Sequence, residues 1–431
     1  MIQRNRYLQK LAAKRENGMV KVITGIRRCG KSCLLFGLFR QYLIEQGVNP
    51  SQIIETALDD DTNIKLRNPL ELGKHIRESI KDDSKMHYAF LDEIQNVAEI
   101  PNPYIPGGNA KIGFTDVLLG LMKIKNLDIY VTGSNSKMLS SDILTEFRGR
   151  GDEVRVRPLA YSEFYPAYPG EKRNAWRDYF TFGGMPAALP LKTAEEKNGY
   201  LHSLFAKIYL DDIMSRHGIN KSRSILDSLL DITASSVGSL TNPSKIQKTF
   251  ASKGIKISDD TISLYLDYFT DSFLISKAKM YDLKGRKYIC SPQKYYYEDT
   301  GLRNARLNFR QQEENHIMEN IIYNELCFRG YDVDVGIVPV YGRNNGGKTV
   351  KKQLETDFAA NKGSARIYVQ SALHISDEEK RRQETASLLA IKDSFQKIVI
   401  VKDNIVPYHD ENGIFYIGIE DFLLDENAIN Q

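Results

Sequence analysis

The sequence has few cysteines and no long apolar run, and each shortage excludes a class of protein. The four cysteines are scattered, with no C-x-x-C pair or Cys/His cluster, so we predict neither a zinc site nor a disulfide framework. No apolar stretch approaches the ~20 residues that cross a bilayer, and the first residues lack the apolar run of a signal peptide. We therefore expect a cytoplasmic protein with reduced thiols and no membrane contact.

The length of the chain indicates several domains, and its net charge neither requires nor excludes a nucleic-acid partner. With 431 residues, the chain is too long for one ordinary core, so two or three domains are expected. The formal net charge is only +4, which permits a local basic patch for nucleic acid but does not by itself argue for one.

Short apolar runs alternate with helix-length segments over residues 1–157. Strands separated by helices predict an α/β domain with a parallel sheet covered on both faces. The predicted strands are 19–24, 53–58, 88–91, 128–132 and 154–156, and the helices between them are 31–45, 69–81 and 114–125. Residues 101–113 are rich in Pro, Gly and Asn and are expected to form a flexible loop.

A glycine-rich segment follows the first strand and begins a helix. Its sequence, Gly25-Ile26-Arg27-Arg28-Cys29-Gly30-Lys31-Ser32, fits the Walker A pattern G-x-x-x-x-G-K-S, and Cys33 comes next. Glycines let backbone N–H groups approach phosphate oxygens at the positive end of a helix. In this pattern Lys31 reaches the β- and γ-phosphates and Ser32 ligates Mg²⁺. The segment therefore predicts binding of ATP with Mg²⁺, and Arg27 and Arg28 either contact phosphate or point to solvent.

Two acidic residues stand at the end of the third strand. The apolar run 88–91 leads directly into Asp92 and Glu93, which is the Walker B arrangement. Asp92 is expected to hold Mg²⁺, directly or through water, and Glu93 to polarise the attacking water. A glutamate beside the magnesium acid favours hydrolysis over nucleotide holding alone.

Polar and basic residues after the fourth strand are the remaining candidates for catalysis. In P-loop ATPases with an additional strand, that strand ends in a polar residue that contacts the γ-phosphate or the lytic water. Ser134 and Asn135 both fit this role, and a helix N-cap at Ser134 or Ser136 is compatible with it. Arg150 can neutralise charge on the γ-phosphoryl group, in cis or from a neighbouring subunit, or it is a surface arginine.

These motifs together resemble the prokaryotic AAA-like ATPases of the AAA_14 type, in which a DUF4143 region follows the ATPase. The resemblance covers nearly the whole chain. It rests on the segments 22–32, 91–95, 131–136, 149–150, 158–164, 182–186, 211–213, 261–266, 319–326 and 355–358. It implies an AAA-like P-loop core with an additional-strand sheet, a winged-helix module and a C-terminal α/β domain similar to restriction-endonuclease folds. It supplies no physical substrate.

The second half of the chain is expected to hold three further regions. The predicted divisions are an ATPase core at 1–157, a helical region at 158–236, a winged-helix-like module at 237–305 and an endonuclease-like domain at 306–431. In the module, two helices at 244–252 and 259–271 precede short strands at 273–280, 287–290 and 294–297. Lysines could contact DNA phosphates there, whereas aspartates on the second helix oppose it. The lysines are Lys245, Lys248, Lys253 and Lys256, and the aspartates are Asp259, Asp260 and Asp267.

Cleavage of nucleic acid by the last domain is not expected. An endonuclease-like site needs a helix carboxylate, a strand acid, and Glu or Gln followed two residues later by Lys. Glu319, Asp357 and Gln370 fit, but Ala372 stands where the lysine is required. We therefore predict an inactive domain. A satisfied surface carboxylate at Glu319 and a strand-edge charge at Asp357 are an equally supported interpretation of these two residues.

Three functions remain open from the sequence. The first is an ATPase whose hydrolysis drives motion of the later domains, and Glu93 favours it. The second is a nucleotide-dependent switch that docks on DNA or protein with little turnover. A protein partner or a homo-oligomer is left open with either function. The third is an ATP-regulated nuclease, which Ala372 disfavours.

Overall fold

The computed structural model describes residues 2–82, 84–105, 109–133, 151–205, 210–219, 222–310, 313–343, 349–375 and 377–429. The chain divides into two compact units, residues 1–157 with 271–273 and residues 158–270 with 274–431. All four cysteines are free thiols. Among the described residues, no helix is both long and apolar enough to cross a bilayer.

A five-stranded parallel sheet forms the centre of the first unit. Its strands are β1 (Val20–Thr24), β2 (Ile53–Ala57), β3 (His87–Asp92), β6 (Leu127–Thr132) and β7 (Gly151–Arg155). The order across the sheet is β2-β3-β6-β1-β7, and every neighbouring pair is parallel. The predicted parallel sheet is confirmed, and β6 lies between the strand before the glycine-rich segment and the strand that ends in Asp92.

Helices cover this sheet because their apolar residues recur on one side. They are α1 (Asn5–Ala13), a π-helical segment Cys33–Phe39 that continues into α2 (Arg40–Glu45), α3 (Pro69–Ser79) and α4 (Phe114–Leu121). Leu72 and Ile76 of α3 and Leu118 of α4 pack with Leu91 and Val131 in one buried cluster. All residues of β1, β3 and β6 are buried, as expected for strands covered on both faces.

The segment expected to be a loop after the third strand is paired at its base. Strands β4 (Ile100–Pro101) and β5 (Lys111–Ile112) form a short antiparallel pair. Composition alone missed this pairing, because a two-residue strand leaves no periodic pattern in the sequence.

From residue 158 to the strand that begins at Ile275, the chain is mainly helical, and further helices follow later in the second unit. Among the described residues, the α-helices after residue 157 are α5 (Tyr161–Ala167), α6 (Ala175–Phe182), α7 (Ala194–Ser203), α8 (Asp211–Arg216), α9 (Arg223–Ser235), α10 (Pro243–Ser252), α11 (Asp259–Asp271), α12 (Thr300–Arg306), α13 (Glu314–Phe328), α14 (Glu378–Ala390) and α15 (Ile419–Leu424). Helices α10 and α11 agree with the two expected at 244–252 and 259–271. Helix α14 had not been predicted.

An eight-stranded mixed sheet organises the rest of the second unit. Its strands are β8 (Ile275–Asp282), β9 (Lys287–Tyr297), β10 (Asp332–Arg343), β11 (Thr349–Lys362), β12 (Ala365–Ala372), β13 (Gln396–Val401), β14 (Tyr408–His409) and β15 (Phe415–Gly418). The order is β14-β15-β13-β12-β11-β10-β8-β9. The three short strands predicted at 273–297 are two long ones, because β9 continues through Ser291 and Pro292. Strand β8 also pairs with β10, so this hairpin is continuous with the C-terminal sheet.

Candidate active site

The glycine-rich segment lies between β1 and the helix that begins at its end. Gly25 and Gly30 have φ angles of +139° and +100°, which side chains with a Cβ rarely adopt. A Cβ on Gly25 would lie 2.0 Å from the backbone oxygen of Val156. The segment is therefore held against the end of β7 by a contact that only glycine permits.

Lys31 is turned into this loop. Its side chain is 3% exposed, and Nζ donates hydrogen bonds to the backbone oxygens of Gly25 at 3.0 Å and Ile26 at 3.2 Å. The ammonium group thus lies at the centre of the loop, within reach of any anion that the loop surrounds. Ile26 itself is buried and fixes the loop to the core.

Three side chains meet where β3 and β6 end. Asp92 is 4% exposed, and its carboxylate accepts a hydrogen bond from the hydroxyl of Thr132. Burial raises the pKa of Asp92, while the nearby side chains of Ser32 and Thr132 act in the opposite direction. Ser32 is exposed, so its hydroxyl joins the buried carboxylate to the accessible side of the loop.

Glu93 follows Asp92 in a left-handed backbone conformation, with φ +52°. Its N–H donates to Thr132 Oγ1 at 3.1 Å, and its carboxylate accepts a hydrogen bond from the amide of Gln95. Glu93 is half-buried and follows directly after Asp92, with its carboxylate held by Gln95. A left-handed φ in a residue with a Cβ costs free energy and often marks a functional position.

Thr132 was missed as a site residue in the sequence, where Ser134 and Asn135 were the candidates. Ser134, Asn135 and Arg150 lie outside the described residues. The signal for Thr132 was a hydroxyl at the last position of the strand next to β3, where parallel strands bring their carboxyl ends together.

The other residues of the glycine-rich segment have distinct surroundings. Cys29 is fully buried, and its Sγ donates to the Val156 oxygen at 3.3 Å. Arg27 is half-buried, whereas Arg28 and Cys33 are exposed. Arg28 has a left-handed φ of +66°. Arg28 therefore stands at a sharp turn of the loop, and its side chain is exposed.

Arg4 is a second residue that sequence reasoning did not single out. Its side chain is 5% exposed, and it donates to the backbone oxygens of Cys29 at 3.1 Å and Arg157 at 2.7 Å. The guanidinium also lies over the ring of Tyr7, 4.7 Å from its centroid. Arg4 therefore ties the N-terminal helix to both the glycine-rich segment and the chain leaving β7. No local sequence pattern marks such a contact.

A magnesium ion needs few protein ligands at a site of this kind. Among the described residues, no group of three or more His, Cys, Asp or Glu side chains is arranged to hold a metal ion. The neighbouring Ser32 hydroxyl and Asp92 carboxylate nevertheless offer the hard oxygen donors that Mg²⁺ takes together with waters and phosphate oxygens. The donor set fits the ion predicted from the sequence.

In the second unit, the residues expected of an endonuclease-like site are brought together. Glu319 is buried on α13 and Asp357 is buried on β11. The N–H of Asp357 donates to Gln370 Oε1 at 3.3 Å, and the N–H of Ser371 donates to Asp357 Oδ2 at 2.8 Å. Ala372 is buried and supplies no charge. The alternative of a surface carboxylate at Glu319 and a strand-edge charge at Asp357 is therefore wrong, because both residues are buried and β11 lies between β10 and β12.

The basic residues of the two-helix segment are accessible. Lys245, Lys248, Lys253 and Lys256 are all exposed on α10 and the turn that follows it. Asp259 and Asp260 are exposed at the start of α11, as expected from the sequence.

Comparisons with known proteins agree with this geometry. Residues 17–165 match the family described as AAA domain (AAA_14), and residues 173–313 match a domain of unknown function, DUF8612. The second match differs from the expected DUF4143 region. The chain is similar to an uncharacterized protein of Methanocaldococcus jannaschii, at 27% identity over 94% of this chain and 85% of that one. A Walker-type ATPase of Pyrococcus abyssi has the same fold, with a TM-score of 0.50 at 18% identity over 71% of this chain and 96% of that one.

Similarity to an uncharacterized protein of Haemophilus influenzae extends over nearly the whole of both chains. The two are 33% identical over 434 residues, which covers 98% of this chain and 99% of the relative. The chain therefore belongs to the same protein family as this Haemophilus influenzae protein, and its first unit carries an AAA domain of the AAA_14 type with the fold of a P-loop ATPase.

Proposed function

We propose that the chain binds ATP with Mg²⁺, hydrolyses it, and couples its nucleotide state to the regions that follow the ATPase domain. The observation that carries this proposal is the buried Lys31 turned into the glycine-rich loop, with the next residue, Ser32, close enough to the buried Asp92 to oppose the rise in the pKa of that carboxyl. This arrangement puts a cation for phosphate, a hydroxyl and a carboxylate for Mg²⁺ at one end of the sheet. The AAA domain match over residues 17–165 includes all three residues.

Lys31 would bind the β- and γ-phosphates. Its ammonium donates to the carbonyl oxygens of Gly25 and Ile26, and phosphate oxygens carry more negative charge than carbonyls. Phosphate would therefore compete well for the same N–H groups. The backbone N–H groups from Gly25 to Ser32 would add further donors at the helix N-terminus.

Glu93 would act on the attacking water. Bound Mg²⁺ would neutralise charge on the phosphates, with Ser32 and Asp92 as its protein ligands. The Glu93 carboxylate would orient a water molecule and take its proton as the water oxygen adds to the γ-phosphorus. The bond from that phosphorus to the bridging oxygen breaks, and ADP leaves. Gln95 holds the Glu93 carboxylate beside the strand ends.

Ser134, Asn135 and Arg150 remain part of this proposal as residues predicted from the sequence. Ser134 or Asn135 would contact the γ-phosphate or the lytic water, and Arg150 would neutralise developing charge in cis or in trans. Arg27 and Arg28 would contact phosphate or stay in solvent.

DNA contact through the two-helix segment is a second candidate function. Two helices followed by an antiparallel hairpin are typical of a winged helix, and α10, α11, β8 and β9 follow this order. The observation that favours contact is the group of four exposed lysines on and after α10. The C-terminal sheet with α13 would be an endonuclease-like domain, because Glu319, Asp357 and Gln370 meet there.

ATP turnover measured with three proteins tests the main proposal. The unaltered protein is compared with Lys31→Ala and Glu93→Gln, with and without duplex DNA. We expect Lys31→Ala to lose ATP binding, and Glu93→Gln to bind ATP but lose turnover by about 100-fold or more. Binding is followed separately with a fluorescent ATP analogue.

Two surface substitutions provide matched controls. Lys74→Ala and Glu99→Gln remove charges from side chains that are 65% and 67% exposed. Their turnover should equal that of the unaltered protein. Equal turnover in Lys31→Ala, Glu93→Gln and the unaltered protein would sink the catalytic assignment. Tight ATP binding without turnover would instead favour the nucleotide-dependent switch.

A further inference from the structure

A buried lysine lies among three carboxylates in the second unit. The side chain of Lys294, on β9, is 3% exposed, and its Nζ lies 2.8 Å from Glu319 Oε1 and 2.7 Å from Glu355 Oε1. Asp357 Oδ1 lies 3.9 Å from the same nitrogen. These residues come from three separate elements, β9, α13 and β11. One ammonium faces three carboxylates, so the group has capacity for a further cation.

The orientation of Asp357 is fixed by the neighbouring strand. Its Oδ2 accepts the N–H of Ser371, which leaves Oδ1 facing the lysine. Gln370 accepts the N–H of Asp357, so β11 and β12 are joined through side chains at this point. A carboxylate held by backbone contacts keeps one oxygen available at a defined position, as a metal ligand requires.

The group opens to solvent on one side. Glu355 is 33% exposed, and so is His316, which precedes Glu319 by one helical turn on α13. The Nδ1 atom of His316 lies 3.9 Å from Glu319 Oε2. This nitrogen is buried and has no hydrogen-bond partner among the described residues. An unsatisfied donor or acceptor at the edge of a charged group indicates a position where a ligand or water would bind.

Lys294 also supplies the charge that the sequence lacked at position 372. The prediction of an inactive domain rested on Ala372, because no lysine followed Gln370 by two residues. The long lysine side chain reaches the same carboxylates from β9, some eighty residues earlier in the chain. The reason for excluding cleavage is therefore removed by the fold.

We propose that Lys294, Glu319, Glu355 and Asp357 form a Mg²⁺-dependent site that hydrolyses phosphodiester bonds of a polynucleotide. Mg²⁺ is commonly held by one or two carboxylates together with waters and substrate phosphates. Asp357 and Glu355 are the ligands, because they project from the same strand and Glu355 is accessible. Lys294 places positive charge beside the phosphate oxygens as negative charge grows on them.

The reaction needs only water as co-substrate. The oxygen of a water molecule adds to phosphorus and passes its proton to solvent. The bond from phosphorus to one ester oxygen breaks, and that oxygen takes up a proton and leaves as a hydroxyl. The products are one phosphate monoester and one alcohol, without any change of oxidation state.

The residues near the site favour a polynucleotide over a free nucleotide as the substrate. Gly238 has a φ of +70°, and a Cβ there would lie 3.1 Å from Glu319 Oε2 and 3.2 Å from His316 Nδ1. From Gly238 the chain continues within a few residues into α10, which carries the exposed Lys245 and Lys248. A polynucleotide carries many phosphates, so one phosphate would contact those lysines while another lies at the carboxylates.

Cleavage by the full-length protein without ATP tests this proposal. The substrates are supercoiled plasmid DNA, a labelled single-stranded DNA and a labelled RNA of the same sequence, each with MgCl₂ or with EDTA. We expect Mg²⁺-dependent cleavage that falls by about 100-fold or more in Asp357→Asn and in Glu355→Gln, the order found when a contact to transition-state charge is lost. Binding of Mn²⁺, measured by electron paramagnetic resonance, should weaken in the same two variants.

Controls separate this site from a contaminant and from misfolding. Glu314→Gln removes a half-exposed carboxylate from the same helix as Glu319, and it should cleave like the unaltered protein. Thermal unfolding of each variant tests whether it is folded. A substitution at Glu355 should disturb folding less than one at Asp357, because Glu355 is partly exposed. Cleavage of DNA or of RNA identifies which polymer is the substrate. No cleavage of any of the three by folded protein, or equal cleavage by Asp357→Asn, Glu355→Gln and the unaltered protein, overturns the proposal.

Discussion

The hydroxyl of Thr132 donates a hydrogen bond to Asp92 across two neighbouring strands of the parallel sheet. The register pairs Leu91 with Val131, so the two residues that follow lie side by side at the carboxyl ends of β3 and β6. Thr132 also accepts the N–H of Glu93 at 3.1 Å. One hydroxyl therefore orients both the proposed magnesium ligand and the backbone of the proposed base.

Replacing Thr132 tests this double role. Thr132→Val keeps the shape of the side chain but removes both hydrogen bonds, so we expect ATP turnover to fall by about 10-fold or more, with a smaller effect on ATP binding. Thr132→Ser keeps the hydroxyl and should retain most of the turnover. Steady-state kinetics gives kcat and KM for each variant. Similar kcat values for the valine and serine variants would contradict the assignment.

The sequence predicted the first unit well because its elements are set by local patterns. Alternating apolar runs and helices specify a parallel sheet, and the glycine-rich segment marks the exit of β1. Thr132 was missed because its role depends on which strands are neighbours, and sequence order does not show that β6 lies beside β3. Arg4 was missed for a similar reason, since its partner Arg157 is more than 150 residues away.

Arg4 is predicted to support nucleotide binding without touching the nucleotide. Arg4→Ala removes the donors to the oxygens of Cys29 and Arg157, so the glycine-rich segment loses a fixed anchor. We expect ATP affinity to fall by about 10-fold, equivalent to about 1.4 kcal/mol. A fluorescent ATP analogue measures the affinity, and Arg40→Ala, at a half-exposed surface arginine, is the control. Unchanged affinity in Arg4→Ala would show that the anchor is dispensable.

Gly25 and Gly47 form a matched pair for testing the loop geometry. Both have a positive φ, but a Cβ on Gly25 would lie 2.0 Å from the Val156 oxygen, whereas a Cβ on Gly47 would meet nothing within 4 Å. Gly47→Ala should therefore cost only about 1–2 kcal/mol from its backbone conformation. Gly25→Ala must also move the loop and should abolish ATP binding. Thermal unfolding and nucleotide binding distinguish the two, and normal binding by Gly25→Ala would refute the contact.

The second unit was harder to predict because its important contacts are distant in sequence. Lys294 reaches carboxylates on β11 that lie some sixty residues further along the chain, and no motif spacing reveals this. The hairpin of β8 and β9 was expected to form a separate wing. Its pairing with β10 is a property of the sheet that local β-propensity does not specify.

Asp299 interlocks two glycine-containing turns of the second unit. Its Oδ2 accepts the N–H of Gly184 at 2.7 Å, and its Oδ1 accepts the N–H of Leu302 at 3.0 Å, which caps α12. Gly183, with φ +71°, leaves no space for a Cβ, which would lie 2.2 Å from Asp299 Oδ1. Burial raises the pKa of Asp299 from 3.8 to about 6, although these N–H groups oppose the shift.

This raised pKa predicts how the stability of the second unit depends on pH. Below pH 4 the carboxyl group is protonated in both the folded and the unfolded chain, and above pH 6 it is ionised in both. Between these values, only the folded chain keeps the proton on Asp299. The contribution of this protonation to the free energy of unfolding is therefore largest at low pH and is lost as the pH rises through 6. The loss corresponds to about 3 kcal/mol, from the free energy per unit of pKa.

Asp299→Asn removes this titration while keeping a side chain of similar shape. We expect the variant's deficit in free energy of unfolding, relative to the unaltered protein, to be larger at pH 4 than at pH 7 by about 2–3 kcal/mol. The only tryptophan, Trp176, lies on α6 in the same unit, so its fluorescence in a guanidinium titration reports this unfolding. Asp421→Asn, at an exposed position, corrects for effects on the unfolded chain. A deficit that stays the same from pH 4 to pH 7 would mean that burial does not hold the proton on Asp299.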